Sequence, residues 1–291
     1  MLRRLMWLPA AASLTMPAGA AAQCPPGQAC PPETPRWVGD FAALSANVFL
    51  GGITAGVARH LDGGSFRDGF VDGLTGGAAV WAGKRVAAGR FDGAGLLGRE
   101  IGAAGVSMVR NAGFGRSLFH TLVLPLGPLQ VEWTTTTNAL NARVDPIALG
   151  WIAYGVAENE LHFDFGGTLS AGAPVFRTRD RILRFGDEGV HAAGVTSAGV
   201  IIVADVPGYG DAFTRRALAH ERVHVLQQDH IAEWWVLPLT RNLLERVPFA
   251  RHASPHVAVN LSTELLRGLG HLFSAHAERP WELEATFLAR E

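Results

Sequence analysis

The pentad His220-Glu221-Arg222-Val223-His224 combines residue types that can hold a metal ion and move a proton. Two histidines at this spacing lie on the same face of an α-helix, so both imidazoles can reach one ion while the glutamate stands beside it. Asp211 is a suitable N-cap for such a helix, and an apolar stripe follows at Leu218, Val225 and Leu226. The pentad therefore has the minimum residues of a zinc hydrolase, placed on a half-buried helix.

Catalytic zinc sites use three protein ligands and keep a fourth position for water, so a third ligand is expected downstream. Glu282 is the best candidate, because Pro280 suits the first position of a new helix and places Glu282 in its opening turn. Glu284 points about 200° away around the same helix, so only one of the two glutamates can face the metal. The sequence predicts a zinc (Zn2+) site formed by His220, His224 and Glu282.

These motifs resemble those of the gluzincin metallopeptidases, in which an H-E-x-x-H helix is followed by a second helix with a glutamate ligand. The pattern His220-Glu221-x-x-His224-x-x-Gln227-Gln228 is similar to the core of bacterial peptidase-like domains of uncharacterised function. The pattern Glu282-x-Glu284-Ala285 is similar to the E-x-x-A-D motif of membrane-associated peptidases. The resemblance covers residues 199 to 291 at most. It departs at Thr286, where the second motif has an aspartate that is thought to orient a zinc-bound histidine.

The resemblance implies that His220, His224 and Glu282 hold zinc and that Glu221 is the general base, and later the general acid, of peptide-bond hydrolysis. No motif identifies the donor that stabilises the oxyanion. The candidate donors are Tyr209, His256, His271 and His276. Two other interpretations stay open: the histidines line a core without a metal, or zinc is bound without turnover because of Thr286.

Other polar residues near the pentad are expected to be accessory. His230 lies about 80° from His220 around the helix and is a poor substitute ligand. Gln227 and Gln228 are expected to lie behind the ligands or at the surface. The isolated histidines elsewhere are expected to be surface or core residues rather than ligands.

Residues 1 to 22 have the features of a secretory signal peptide. Arg3 and Arg4 form the charged end, Leu5 to Met16 the apolar stretch, and Ala20 to Ala22 the small-residue cleavage site. We therefore expect an exported protein of the periplasm or the outer cell envelope.

The chain has two cysteines, Cys24 and Cys30, which flank a short proline-containing loop. In an oxidising compartment they could close a small disulfide loop. Lipidation of Cys24 is an alternative that Gln23 disfavours, because a small residue is expected immediately before a lipidated cysteine. The proline content of residues 23 to 36 indicates an extended tether without a core.

The composition, with 48% hydrophobic and 18% charged residues, is that of a globular or membrane-leaning chain rather than a disordered one. A net charge of -1 and the lack of a basic stripe give no electrostatic argument for nucleic acid as a partner. The expected partner is a peptide or protein substrate. Among 25 lysines and arginines the single lysine is Lys84, a bias that we attribute to codon usage.

Residues 37 to 130 are expected to form a glycine-rich helical region. Glycines recur there at four-residue spacing, as in Gly69, Gly73 and Gly77, and would fall on one helix face. Such faces let two backbones approach closely, as in small-xxx-small contacts between membrane helices. Phe41 to Ala58 carries no charge and is just long enough for a membrane span. Its many small residues favour a buried, tightly packed helix pair, with membrane association as the alternative.

Residues 131 to 206 are expected to form a small antiparallel sheet. Val131 to Thr137 is rich in β-branched residues, residues 161 to 165 alternate between apolar and polar, and Gly199 to Val206 is a compact β-branched run. The last strand leads into the zinc helix. By resemblance to the gluzincins, residues 199 to 206 are therefore a candidate edge strand for aligning an extended peptide, with an ordinary core strand as the alternative.

The sequence thus predicts an α+β fold with glycine-rich N-terminal helices, a small antiparallel sheet and a C-terminal helical zincin-like unit at residues 207 to 291. Within that unit, Val257 to Ala277 predicts an amphipathic helix behind the zinc helix. The leading hypothesis is an exported zinc-dependent metallopeptidase. The alternative is a membrane-associated structural protein of the cell envelope with a non-catalytic zinc site.

Overall fold

A computed structural model describes most of the chain from residue 35 onwards. The described residues are 35–158, 160–178, 183–185, 190–192, 194–205, 210–248, 251–270, 272 and 279–289. The expected signal peptide, nearly all of the tether and both cysteines lie outside the described residues. The same holds for Tyr209, His271 and His276.

The described residues form an α+β fold, as the sequence predicts. The helices are α1 Arg36–Leu61, α2 Phe66–Ala87, α3 Ala94–Gly113, α4 Pro146–Ala157, α5 Phe165–Ala171, α6 Gly210–Ile231, α7 Leu237–Arg246, α8 Ser262–Gly270 and α9 Pro280–Leu288. The strands are β1 Thr121–Leu126, β2 Leu129–Thr134, β3 Ala139–Val144, β4 Leu161–Phe163, β5 Val175–Thr178, β6 Leu183–Phe185, β7 Val190–Ala192, β8 Gly194–Ser197 and β9 Val200–Ala204. A π-helical segment, Ala232–Val236, joins α6 to α7.

Helices α1, α2 and α3 pack against one another through their glycine faces, which confirms the close approach that the glycine spacing predicts. A methyl group added at Gly77 of α2 would lie 2.3 Å from the carbonyl oxygen of Asn47 in α1. A methyl group at Gly83 would lie 2.5 Å from the backbone nitrogen of Gly102 in α3. Each glycine costs about 1 kcal/mol of helix propensity, and the backbone-to-backbone contact offsets that cost.

Strands β1, β2 and β3 form an antiparallel meander that covers α3. The backbone nitrogen of Val123 in β1 donates to the hydroxyl of Ser107 in α3 at 2.9 Å. The side-chain amide of Asn111, one turn further along α3, donates to the carbonyl oxygen of Thr121 at 2.9 Å. These bonds fix the sheet on the third glycine-rich helix.

A second sheet has the strand order β4-β5-β9-β8 and is mixed rather than antiparallel, because β5 and β9 pair in parallel. Strand β4 ends at Phe163, so Phe165 does not continue it as the alternation suggested. Asp164 instead accepts a hydrogen bond from the backbone of Gly167 and caps α5. A further hairpin pairs β6 with β7.

The expected edge strand at residues 199 to 206 is an interior strand, and this prediction is wrong. Strand β9 pairs with β5 on one side and with β8 on the other, and all five of its residues are buried. An unbroken apolar run is typical of a strand that is covered on both faces and paired on both edges. Among the described strands, β8 pairs only with β9 and is therefore an edge of this sheet.

Helix α6 lies at the centre of the fold. Leu218 and Val225 pack on β5 and β9 of the mixed sheet, and α4 covers the opposite face of that sheet through Trp151 and Ile152. On its other side α6 meets α3, where Arg99 forms an ion pair with Asp229 at 2.7 Å. The pentad on α6 is therefore held between the glycine-rich helices and the sheet.

Helix α8 begins at Ser262, later than the start at Val257 of the predicted helix over Val257 to Ala277. Val257 forms a parallel bridge with Val144 at the end of β3, which keeps this segment extended. The side chain of Asn260 then accepts a hydrogen bond from the backbone of Ser262, where α8 begins.

The glycine contacts generate a matched pair of substitutions. Gly77→Ala should lower the free energy of unfolding by about 1–3 kcal/mol, because its methyl group would overlap the α1 backbone. Gly150 lies in α4, and no atom is within 4 Å of a methyl group added there. Gly150→Ala should therefore raise the free energy of unfolding by about 0.5–1 kcal/mol. Urea titrations followed by circular dichroism measure both. Stabilisation by Gly77→Ala would contradict the packing described.

Candidate metal centre

Helices α6 and α9 bring the three predicted ligands together. His220 and His224 share one face of α6, and their Nε2 atoms are 2.9 Å apart. Glu282 lies in the first turn of α9, which begins at Pro280 as predicted. Its Oε2 atom is 3.3 Å from His220 Nε2 and 3.1 Å from His224 Nε2. These three side chains form a group that could hold a metal ion.

The spacing of the three donor atoms fits a small divalent ion. Bonds of about 2.0–2.2 Å in a tetrahedral site place neighbouring donors about 3.3–3.6 Å apart. The observed edges of 2.9–3.3 Å are slightly shorter than this in the metal-free group. The donor set of two imidazoles and one carboxylate is also that of catalytic zinc sites.

Packing between the two helices fixes the position of Glu282. Ala285 and Leu288 of α9 pack in a buried cluster with Val223 of α6 and Ala88, which follows α2. Val223 lies between the two histidines in sequence, so the core and the ligands belong to the same turn of α6. Shifting α9 would therefore disturb both the cluster and the third ligand.

Glu221 lies beside the ligands and against the edge strand β8. Its Oε2 atom accepts a hydrogen bond of 2.8 Å from the hydroxyl of Thr196 in β8. A methyl group added at Gly194 would lie 2.7 Å from Glu221 Cγ and 2.8 Å from Oε1. The carboxylate that the sequence predicts as general base is thus buried between the candidate metal ligands and β8, an edge strand among the described strands.

The electrostatics of the group favour a cation between its members. Burial lowers the pKa of His224, but the Glu282 carboxylate and its hydrogen bond, helped by Glu221 and Gln227, outweigh burial and raise that pKa to about 9. Without a metal, His224 therefore carries a proton at neutral pH. A divalent ion that binds has to displace this proton.

Glu284 faces away from the metal ligands, as its position on α9 predicts. Its Oε2 atom accepts hydrogen bonds from Lys84 Nζ at 2.7 Å and from Gln227 Nε2 at 2.8 Å. Its Oε1 atom accepts one from Asn47 Nδ2 at 2.6 Å. Burial raises the pKa of Glu284, but Lys84 and these hydrogen bonds outweigh burial and lower it, so the carboxylate is ionised.

Asn47 and Lys84 were missed as site residues by sequence reasoning, and the single lysine was attributed to codon usage. Both side chains are buried, and Lys84 Nζ donates to Asn47 Oδ1 at 2.8 Å. A usable signal was present: each is a polar side chain on a small-residue helix face, and a buried polar group requires partners. The partner itself, Glu284, is remote in sequence.

His230 and His256 are not part of the metal group. His230 is buried and stacked on Trp234, 5.7 Å between ring centroids, which agrees with its prediction as a poor ligand. His256 is exposed, and its carbonyl oxygen accepts a hydrogen bond from Val144 in β3. The oxyanion candidates Tyr209, His271 and His276 stay predictions.

A scan against protein-family models and searches of curated proteins and of solved structures found no match to the chain. Function therefore has to be inferred from the geometry and chemistry of the chain's own residues.

Zinc binding should release about one proton per ion at about pH 7, because the pKa of His224 is raised to about 9 in the metal-free protein. Since the proton is bound below that pKa, zinc affinity should rise with pH and level off above pH 9. Calorimetric titrations in buffers of different ionisation enthalpy count the released protons. Release of none would contradict a protonated His224.

Proposed function

We propose that the protein is an exported zinc-dependent metallopeptidase that hydrolyses peptide bonds with an activated water. One observation carries the proposal: His220, His224 and Glu282 converge from two helices, with Glu221 buried beside them. The resemblance of both motifs to the gluzincins supports the same function. A carboxylate placed next to two imidazoles and a third ligand is the donor arrangement that hydrolytic zinc sites require.

The residues of the site have distinct roles in the proposed reaction. Zinc held by the two histidines and Glu282 would lower the pKa of a coordinated water towards about 7 and polarise the scissile carbonyl. Glu221 accepts the proton that water loses as its oxygen adds to the carbonyl carbon. Glu221 then delivers that proton to the amine nitrogen as the carbon–nitrogen bond breaks. The Thr196 hydroxyl orients the Glu221 carboxylate throughout.

The substrate of this reaction would be an extended peptide segment. Strand β8 offers an edge that no other described strand covers, and Glu221 lies against its first residue, Gly194. A peptide that pairs with this edge gains backbone hydrogen bonds regardless of its sequence. Its carbonyl groups would then run past Glu221 and the metal ligands. The candidate alignment strand is therefore β8 instead of β9.

A membrane-facing role for α1 is part of the same proposal. Within the described part of the chain, α1 is the one helix that is long and apolar enough to cross a bilayer. Its small residues pack on α2, whereas its other face exposes Trp37, Phe41 and Phe49 at 72%, 66% and 53%. Because one side is covered by protein, we propose that α1 lies along a membrane surface with its aromatic face in the lipid.

The second candidate function is a structural envelope protein whose zinc site is not catalytic. Thr286 favours it, because the aspartate that orients a histidine in similar peptidases is missing. Both functions predict zinc binding, so the two are separated by the general base and not by metal content.

Glu221→Gln should keep zinc and lose hydrolysis by about 10²–10⁴-fold, because the amide cannot accept the proton of the attacking water. Quenched fluorescent peptide libraries, read together with the zinc content of each preparation, measure both properties. Thr286→Ala serves as the control, since Thr286 is not assigned a role and should leave hydrolysis nearly unchanged. Equal, measurable activity of Glu221→Gln and wild type would exclude Glu221 as the general base, and zinc-loaded wild-type protein without any hydrolysis would favour the structural protein.

Phe41→Ser combined with Phe49→Ser should weaken binding of the protein to anionic lipid vesicles at least about tenfold, because two aromatic side chains leave the lipid. Leu140→Ser is the matched control. The Leu140 side chain is 72% exposed and lies on β3, remote from α1 in sequence. Its replacement should leave vesicle binding unchanged. Vesicle co-sedimentation measures the affinity. Wild-type protein that stays in the supernatant would overturn the membrane-facing role.

A further inference from the structure

We propose that the buried side chains Asn47, Lys84, Glu284 and Gln227, here called the Lys84 network, position His224 for metal binding and make the glycine-rich helices part of the metal centre. This inference deepens the proposed function and rests on it. Its members come from α1, α2, α9 and α6, so four separate helices supply the polar side chains that lie behind the imidazole of His224.

Gln227 is the member that contacts the ligand. Its Oε1 atom is 2.7 Å from His224 Nδ1. Its Nε2 atom is 3.0 Å from the carbonyl oxygen of Trp281 and 2.8 Å from Glu284 Oε2. A carbonyl oxygen can only accept, so the amide nitrogen of Gln227 must face it and the amide oxygen must face the imidazole.

This orientation determines which nitrogen of His224 carries hydrogen in the neutral ring. Because Gln227 Oε1 can only accept, Nδ1 of His224 has to donate. The lone pair of the neutral imidazole is then on Nε2, the atom that faces His220 and Glu282 at 2.9 and 3.1 Å. A metal-binding histidine needs this tautomer, which a partner on the other nitrogen selects.

Lys84 and Asn47 hold the other end of the network in place. Lys84 Nζ bridges Asn47 Oδ1 at 2.8 Å and Glu284 Oε2 at 2.7 Å. Asn47 Nδ2 donates to Glu284 Oε1 at 2.6 Å and to the carbonyl oxygen of Ala43 at 2.8 Å. Each carboxylate oxygen therefore has a fixed donor, and the charge of Lys84 is matched inside the protein.

Glycine packing sets the distance between Asn47 and Lys84. The backbone of Asn47 lies against Gly77, where a methyl group would be only 2.3 Å from its carbonyl oxygen. At the start of α1, Gly39 leaves room for the ring of Phe287 from α9. The close approach of α1 to both α2 and α9 lets the side chains of Asn47 and Lys84 reach the Glu284 carboxylate. The network thereby supplies an orienting partner for His224 in a chain that has Thr286 in place of an aspartate.

The neighbouring residue offers a matched control. Gln228 is as buried as Gln227 and bridges two backbone groups, accepting from Gly199 and donating to Thr196. Neither of these hydrogen bonds involves a metal ligand. Gln228→Leu removes two hydrogen bonds from the interior and Gln227→Leu removes three, but only Gln227→Leu removes the acceptor of His224 Nδ1.

The test compares zinc affinity and the cobalt absorption spectrum in the full chain. Gln227→Leu should weaken zinc binding about 10–100-fold and shift the visible bands of bound cobalt, whereas Gln228→Leu should bind zinc within about threefold of wild type at a comparable loss of thermal stability. Competition with a chromophoric chelator gives the dissociation constants. An unchanged zinc affinity in Gln227→Leu, or an equal loss in both variants, overturns the inference.

A second variant keeps the test decisive if Gln227→Leu folds poorly. Lys84→Met leaves the Glu284 carboxylate without its cation, and should weaken zinc binding. Combining Lys84→Met with Glu284→Gln removes both charges but keeps an oxygen that accepts from Gln227, so zinc affinity should return towards wild type. A double variant that binds zinc no better than Lys84→Met overturns the inference.

The outcomes also separate this inference from the proposed function. Wild-type protein that binds zinc and responds to Gln227→Leu, but cleaves no peptide, overturns the peptidase while leaving the network's role intact. Wild-type protein that cleaves peptides with unchanged zinc affinity in Gln227→Leu overturns the network alone. Wild-type protein that binds no divalent ion overturns both.

Discussion

The whole arrangement depends on holding three electron-donating atoms within 3.3 Å of one another where α6 meets α9. Two imidazole nitrogens and a carboxylate oxygen at this spacing favour a cation among them, either a proton or a metal ion. The position of α6 relative to α9 is fixed, because Val223 of α6 packs with Ala285 and Leu288 of α9 in one apolar cluster. The preference for a cation is thus built into the packing of the core.

The glycine-rich helices and α6, which carries His220 and His224, form one structural unit. Small side chains let α1, α2 and α3 approach to backbone contact, and this closeness brings Asn47 and Lys84 to the carboxylate of Glu284. On the opposite side, Arg99 of α3 pairs with Asp229 of α6. Buried ion pairs contribute little net stability but penalise any rearrangement that separates their charges. The Lys84–Glu284 and Arg99–Asp229 pairs therefore specify how the glycine-rich helices pack against α9 and α6.

Local signals predicted the metal ligands, and non-local contacts explain what was missed. The spacing of His220 and His224 and the position of Pro280 are properties of single helices, which sequence periodicity reveals. The parallel pairing of β5 with β9 depends on segments far apart in the chain, so neither the mixed sheet nor the interior position of β9 could be deduced. Glu284 lies 200 positions from Lys84. Only the folded chain shows that a lone lysine and a glutamate behind the ligands are partners.

Zinc-edge X-ray absorption spectroscopy of the purified protein tests most directly whether His220, His224 and Glu282 hold zinc. We expect one zinc per chain, with scattering from two imidazoles and from oxygen donors at about 2.0–2.2 Å. The same spectrum from Glu282→Gln should show a changed oxygen shell with both imidazoles retained. A metal-free protein, or a zinc shell dominated by sulfur at about 2.3 Å, would contradict the assignment of His220, His224 and Glu282 as the ligands.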